Sequence, residues 1–185
     1  MISSQRGFLE VTNLLVEKGA DLDAADEDGK RALHLAIEGQ HFGVVQGLLD
    51  AGASSTRRIA DGRTPLHLAC LHGNVWVIKV LMDAGGEPWA TDDEVLDGVV
   101  RKCVPLDVAA RQGHLDAVRY IIFHTDTGLA SCGGDTGGVL ALTLAARCGR
   151  IEVLHTLTDF DVQDTGGGRR RKRRSGVRKI PVAAI

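Results

Sequence analysis

Histidine and cysteine are the residues of this chain most able to carry catalytic or metal chemistry, and it contains seven histidines and four cysteines. Zinc sites repeat such residues at short spacings, as in C-x-x-C or H-E-x-x-H, because the ligands must converge on one ion. Neither pattern is present, nor is the G-x-S-x-G turn that exposes a serine nucleophile. The sequence therefore predicts no catalytic residue, no metal site and no cofactor.

Two of the histidines recur because the sequence around them recurs. The segment ALHLA at residues 32–36 returns as PLHLA at 65–69, as PLDVA at 105–109 and as ALTLA at 141–145, at offsets of 33, 40 and 36 residues. We expect His34 and His67 to be structural, each imidazole bonding to loop backbone and tying adjacent units together. A repeated histidine is better explained by the repeat than by a catalytic triad.

Each repeat is predicted to fold as two short helices joined by a tight turn. In the best-preserved copy, Pro65 occupies the first helical position, where its missing N–H costs nothing, and Gly73 can close the helix in the left-handed conformation. A second helix from about Val75 to Met82 follows, with apolar residues at helical spacing. Helices this short are unstable alone in water, so the units must gain stability by stacking.

The segment DGRTPLHLA at residues 61–69, followed by Gly73 and by LMDAG at 81–85, resembles the ankyrin repeat. The resemblance extends from residue 7 to about residue 160. It implies an all-α fold, an ankyrin-repeat α-solenoid of stacked helix-turn-helix units with short hairpin-like finger loops. We predict an ankyrin-repeat domain at residues 1–165 and a disordered basic tail at 166–185. Within the domain, a half repeat at 7–27 precedes full repeats at about 28–60, 61–100, 101–136 and 137–162.

The first full repeat departs from this pattern in two places. Arg31 and Ala32 replace the usual Thr-Pro pair. Gln40 stands where the loop glycine is expected, and Gly39 lies one position early. We expect this unit to be the less stable one. A third departure, seven surplus residues within the segment from Asp92 to Lys102, predicts an enlarged loop or finger.

The N-terminal half repeat, GFLEVTNLLVEKG at residues 7–19, aligns with the second helix of a unit, but residues 1–6 look too few to supply a first helix. Apolar surface at the end of the stack would then be exposed to water. Two alternatives stay open. Either Ile2, Phe8 and Leu9 form a makeshift cap, or the chain is a piece of a longer repeat protein.

Ankyrin-like stacks hold partners on a concave surface formed by the finger tips and the exposed side of the first helices, and the resemblance implies the same here. Tryptophan and arginine are enriched at interface hot spots, so Trp89, Arg63 and Arg111 are the first candidates. The alternative for each residue is an ordinary solvated surface position. The predicted partner-binding residues are Lys30, Glu38, Arg63, Leu71, His72, Trp89, Arg111, Gln112 and Arg147.

Charge is unevenly distributed along the chain. Eight basic residues and no acidic residue follow position 168, which leaves residues 1–168 with a formal net charge of −10. An unbroken basic cluster consists of Arg169, Arg170, Arg171, Lys172, Arg173 and Arg174. It predicts a nuclear-import signal. The alternatives are a segment that attracts nucleic acid or acidic membrane without stacking on bases, and a solvating or intramolecular tail.

The sequence thus predicts a non-catalytic protein-protein interaction module, an adaptor or scaffold, without indicating which protein it binds. The alternative function is a nuclear or nucleic-acid-associated regulator, whose tail binds an import receptor or a nucleic acid. The N-terminus lacks the apolar core of a signal peptide, and no apolar stretch approaches the roughly 18 residues of a membrane span. We expect the protein to be cytoplasmic, nuclear or both.

Overall fold

A computed structural model of the protein describes residues 1–96, 99–125 and 139–165, without the side chains of 93–101, 139 and 160–165. The predicted basic tail and residues 126–138 of the third and fourth predicted repeats lie outside this range. The described helices are α1 (Ile2–Gln5), α2 (Leu9–Glu17), α3 (Ala32–Glu38), α4 (Phe42–Asp50), α5 (Pro65–His72), α6 (Val75–Asp83), α7 (Pro105–Gln112), α8 (Leu115–His124), α9 (Val139–Arg147) and α10 (Ile151–Thr165), and the strands are β1 (Asp92–Leu96) and β2 (Val99–Cys103).

The helices form two rows, because each repeat contributes one helix to each row. The first helices pack side by side, α1 on α3, α3 on α5, α5 on α7 and α7 on α9, and the second helices α2, α4, α6, α8 and α10 form the other row. The rows are held together by apolar side chains that recur at the same positions of each repeat. One such position is buried in all four full units, where it is occupied by Leu35, Leu68, Val108 and Leu144. The predicted all-α solenoid is confirmed.

The turn between the two helices of a unit is closed by a left-handed residue. After α5 that residue is Gly73, with φ of 69°. The Asn74 side chain then caps the start of α6 by accepting a hydrogen bond from the Val77 N–H at 3.0 Å. In the first full repeat the left-handed residue is Gln40, with φ of 56°. Gly39 instead keeps an ordinary φ of −75°. A residue with a Cβ therefore takes the conformation that favours glycine.

The enlarged finger is a β-hairpin. β1 and β2 pair antiparallel, with Asp92 opposite Cys103 and Leu96 opposite Val99. Antiparallel pairing satisfies the backbone donors and acceptors of a segment that has no helix. β2 then leads through Val104 directly into α7.

The N-terminal end contains a short first helix after all. α1 is a single turn, and the Thr12 hydroxyl of α2 donates a hydrogen bond to the Ser3 hydroxyl of α1 at 3.1 Å. The expectation that residues 1–6 supply no helix is therefore wrong. Ile2, Phe8 and Leu9, the residues of the predicted makeshift cap, remain 76%, 57% and 39% exposed.

Candidate functional site

A cleft of about 380 Å³ lies between the finger loops and the first helices of the first two full repeats. It is formed by the loops that precede α3 and α5 and by those two helices. Five of the nine partner-binding residues predicted from the sequence line it, namely Lys30, Glu38, Arg63, Leu71 and His72. Ile59, Asp61 and Leu68 complete the lining. The structure thus brings together predicted residues that are far apart in the sequence.

The walls of the cleft carry two ion-pair systems. The Lys30 ammonium lies 2.9 Å from the Glu38 carboxylate, and the hydrogen bond between them raises the pKa of Lys30. The Arg63 guanidinium lies 3.6 Å from Asp61 and 3.5 Å from Asp92, whose side chain is only 1% exposed. Both cations are held in place by carboxylates, so the charged rim of the cleft has a defined geometry.

The floor of the cleft is apolar and comes mainly from α5. Leu68, Leu71 and His72 are three and four residues apart, so they share one face of that helix. Leu68 is buried, whereas Leu71 is half-buried and also packs against the core. Ile59 closes the floor from the loop before α5. An apolar floor inside a charged rim is the arrangement found at the centre of protein interfaces.

The finger loops beside the cleft are linked by arginine side chains. Arg31 donates hydrogen bonds to the backbone carbonyls of Asp23, Gly29 and Arg58, each at 3.1 Å. The first two carbonyls belong to the loop between α2 and α3, and the third belongs to the loop between α4 and α5. Arg58 in turn donates to the carbonyl of Thr91, in the loop that leads to β1. The residue that replaces the usual threonine therefore binds neighbouring fingers to one another, a role that the sequence did not reveal.

His67 and His34 connect neighbouring repeats, as the sequence predicts. Nδ1 of His67 accepts a hydrogen bond from the Thr64 N–H at 3.2 Å, while Nε2 donates to the Cys103 carbonyl of the next unit at 3.2 Å. His34 makes the equivalent two bonds. Burial lowers the pKa of His67 to about 4 and also lowers the pKa of His34. Both rings are neutral, because a protonated Nδ1 could not accept.

A second set of contacts crosses the unit junctions at the loop glycines. Nε2 of His114 donates to the Leu71 carbonyl at 3.1 Å, and the ring lies over Gly73, where an added Cβ would approach it to 2.4 Å. His41 has the same relation to Gly7, and Arg150 to Gly113. His114 is thus a junction residue.

A family model of ankyrin repeats, in three copies, matches residues 1–92. The chain is an ankyrin-repeat protein. No curated protein matches it. Ankyrin repeats are generic protein-protein interaction modules, so the family gives a class of function without naming a partner.

Four predicted residues of the ankyrin stack lie outside the cleft. Arg111 and Gln112 end α7, and the Arg111 carbonyl accepts a hydrogen bond from Arg150 at 3.1 Å. Arg147 is the exposed last residue of α9. Trp89 does not lie on the finger hairpin. It precedes β1, is half-buried and packs against the core, which leaves less of its ring for a partner.

The six basic tail residues, from Arg169 to Arg174, lie outside the described residues of the ankyrin protein. Over the part of the chain that is described, no three His, Cys, Asp or Glu side chains are grouped so that they could hold a metal ion. Within the same residues, no helix is both long enough and apolar enough to cross a membrane.

Proposed function

We propose that this ankyrin-repeat protein is a non-catalytic adaptor or scaffold that binds a protein partner on its concave surface, centred on the cleft between the first two full repeats. The convergence of Lys30, Glu38, Arg63, Leu71 and His72 on that cleft supports the proposal. Their positions in the repeat and their residue types predict the same surface without reference to any distance.

The repeat geometry extends this surface beyond the cleft. Glu38, Leu71, Arg111 and Arg147 occupy the same position in four successive units, at the end of each first helix. A partner segment lying along the stack would meet these residues in turn. Leu71 offers it apolar area, while the charges on either side fix its register, because charged groups at an interface contribute more to specificity than to affinity.

Affinity capture with matched charge reversals tests the proposal. Lys30→Glu places a second acid beside Glu38 in the cleft, whereas Lys79→Glu makes the same change on exposed α6. We expect partners captured by the wild-type chain to be lost with Lys30→Glu and with His72→Ala, and to be retained with Lys79→Glu. Capture that is unchanged by both cleft variants, or equally reduced by all three, would contradict the assignment of the binding surface.

The basic tail supports a second candidate function, a nuclear or nucleic-acid-associated regulator located in the cytoplasm, the nucleus or both. Its basis is the basic run from Arg169 to Arg174 on a chain whose preceding residues have a net charge of −10. Deleting residues 169–179 separates the two functions. If the protein partner is retained and only location changes, the adaptor proposal holds. If the captured partner is lost, and binding of the intact chain to nucleic acid weakens steeply with salt, the tail supplies the affinity.

A further inference from the structure

An exposed pair of aromatic side chains lies on the side of the stack formed by the second helices. Phe42, the first residue of α4, and Trp76, the second residue of α6, are 41% and 43% exposed. Their ring centroids are 6.0 Å apart and the ring planes meet at 52°, so neither ring covers the face of the other. We call these two side chains the outer patch. Helices flank it on both sides, α2 beyond α4 and α8 beyond α6, and they leave it exposed.

The packing of the stack does not require an aromatic side chain at the position of Trp76. The second residues of the five second helices, in order along the stack, are Glu10, Gly43, Trp76, Asp116 and Glu152. Four of the five units therefore have an acidic residue or no side chain there. An exposed indole that packing does not explain is typical of a contact surface, because tryptophan is enriched at interface hot spots.

The surface around the outer patch is acidic. Glu10 and Asp116, which flank it along the stack, are both exposed. The second helices together contain nine acidic residues and two basic ones, a formal charge of −7. The first helices contain two acidic and two basic residues and are neutral. Charge therefore distinguishes the two sides of the stack, and the side that carries the outer patch attracts cations.

The chain itself contains a segment of matching chemistry. The basic run from Arg169 to Arg174, which lies outside the described residues, has six positive charges, and no acidic residue follows Asp164. Arginine side chains bind the faces of aromatic rings, and tryptophan gives the strongest contact of this kind. Carboxylates beside the ring add charge-assisted hydrogen bonds to the guanidinium groups. The outer patch and the acidic residues around it offer both interactions.

The basic run is close enough in the sequence to reach the outer patch. α10 ends at Thr165, and in the row of second helices only α8 lies between α10 and α6. With helix axes about 8–10 Å apart and a rise of about 1.5 Å per residue, the end of α10 lies roughly 25–30 Å from Trp76. An extended chain covers that distance in about eight or nine residues. Arg173 and Arg174 are the eighth and ninth residues after Thr165.

We propose that the outer patch binds the basic run of its own chain, with Arg173 and Arg174 at the Phe42 and Trp76 rings and the preceding basic residues along the acidic second helices. Charge and aromatic contacts hold the segment, so it needs no secondary structure of its own. While it is bound, the basic run is withheld from nucleic acid and from an import receptor. The cleft lies on the opposite side of the stack, so this contact is independent of the proposed partner-binding surface.

A fluorescently labelled peptide of residues 166–185 tests the proposal on the full-length chain. The peptide is titrated into a neutralised chain, in which glutamine replaces each of the six basic residues from Arg169 to Arg174, and anisotropy reports binding. We expect the peptide to bind this chain with an affinity that falls as salt rises. The wild-type chain should bind the same peptide at least about fivefold more weakly, because its own segment competes at high effective concentration.

Substitutions in the neutralised chain test the outer patch itself. Trp76→Ala should weaken peptide binding about fivefold or more, whereas Trp76→Phe keeps an aromatic face and should retain most of the affinity. Asp116→Lys beside the patch should also weaken binding. Glu27→Lys is the matched control, because it makes the same charge change in the finger loop before α3, and its effect should be much smaller. All three positions are exposed, so circular dichroism should give the same helix content for each variant.

A neutralised chain that does not bind the peptide at low salt overturns the proposal. So does binding that Trp76→Ala leaves unchanged, or binding that Asp116→Lys and Glu27→Lys reduce equally, because net charge alone would then be the cause. A wild-type chain that binds the peptide as tightly as the neutralised chain overturns the intramolecular contact. None of these outcomes bears on the cleft, because the capture experiment reads a different surface.

Discussion

Replacing Gln40 by glycine should stabilise the protein, because Gln40 holds a backbone conformation that favours glycine. The equivalent residues of the other full repeats are Gly73, Gly113 and Gly149, with φ of 69°, 86° and 67°, and Gln40 has φ of 56°. A Cβ in the left-handed region costs roughly 1–2 kcal/mol. Glycine gives back about 0.5–1 kcal/mol through its extra freedom in the unfolded chain. The net gain in the free energy of unfolding is therefore about 0.5–1 kcal/mol.

Thermal and urea denaturation of three variants measure this effect. For Gln40→Gly we expect the melting temperature to rise by about 1–4 °C, since 1 kcal/mol corresponds to roughly 2–4 °C in a protein of this size. Gln40→Ala is the matched control, because it removes the exposed side chain but keeps the Cβ. Its stability should stay within about 0.5 kcal/mol of wild type. Gly149→Ala is the reciprocal change, at a left-handed position where an added Cβ meets nothing within 4 Å.

The three results together decide whether backbone strain is the cause. Gly149→Ala should lower stability by about the amount that Gln40→Gly gains, roughly 0.5–1 kcal/mol, because it introduces the same strain. If Gln40→Ala stabilised the protein as much as Gln40→Gly, the lost side chain would be responsible and the reasoning would be wrong. An unaffected Gly149→Ala would show that left-handed residues carry no cost in this stack.

Three further predictions concern the packing between repeats, the cleft and the dependence of stability on pH. Leu68→Ala should lower the free energy of unfolding by about 2–4 kcal/mol, measured by urea denaturation, because it leaves a cavity between units. Arg63→Ala should cost about 1–3 kcal/mol, because it removes a cation 3.5 Å from the buried Asp92 carboxylate, and Lys79→Ala on the surface should change little. The pKa of His67 is about 4 in the folded protein against 6.5 ordinarily, so protonation of this ring favours the unfolded chain. The neutral ring therefore contributes up to about 3 kcal/mol to the free energy of unfolding above pH 6.5, and this contribution should be lost as the pH falls toward 4. Melting at pH 7, 5.5 and 4 should show less loss for His67→Gln than for wild type.

The helices and the buried apolar positions could be predicted from the sequence, because the information for them lies within each repeat. Pro65 and Gly73 mark the two ends of α5 by their own backbone preferences, and the structure places the helix between them. Leu35 and Leu68 recur at one position because each must be buried against a neighbour. The bridging role of His67 followed from the same recurrence. Such features depend on local chemistry that a single repeat already displays.

The contacts between units could not be predicted, because they depend on distances that the stack alone defines. Arg31 departs from the usual pattern, and the sequence predicts that it weakens its unit. Its guanidinium nevertheless binds carbonyls of its own loop and of the next one. Tryptophan is a residue type enriched at interface hot spots, but the path of its loop turns Trp89 toward the core. Arg63 is predicted to be a partner-binding residue or an ordinary solvated one, and only the hairpin brings the buried Asp92 to it.

The junction at the loop glycines also limits how this array could evolve. Gly73 must lack a Cβ because the His114 ring of the following unit lies over it. In the unit that follows Gln40, the residue equivalent to His114 is Asn74, whose side chain instead caps its own helix. The choice of residue in one repeat is therefore coupled to a choice in its successor. Duplication or shuffling of these units would preserve stability only where the turn of one repeat is inherited together with the helix start of the next.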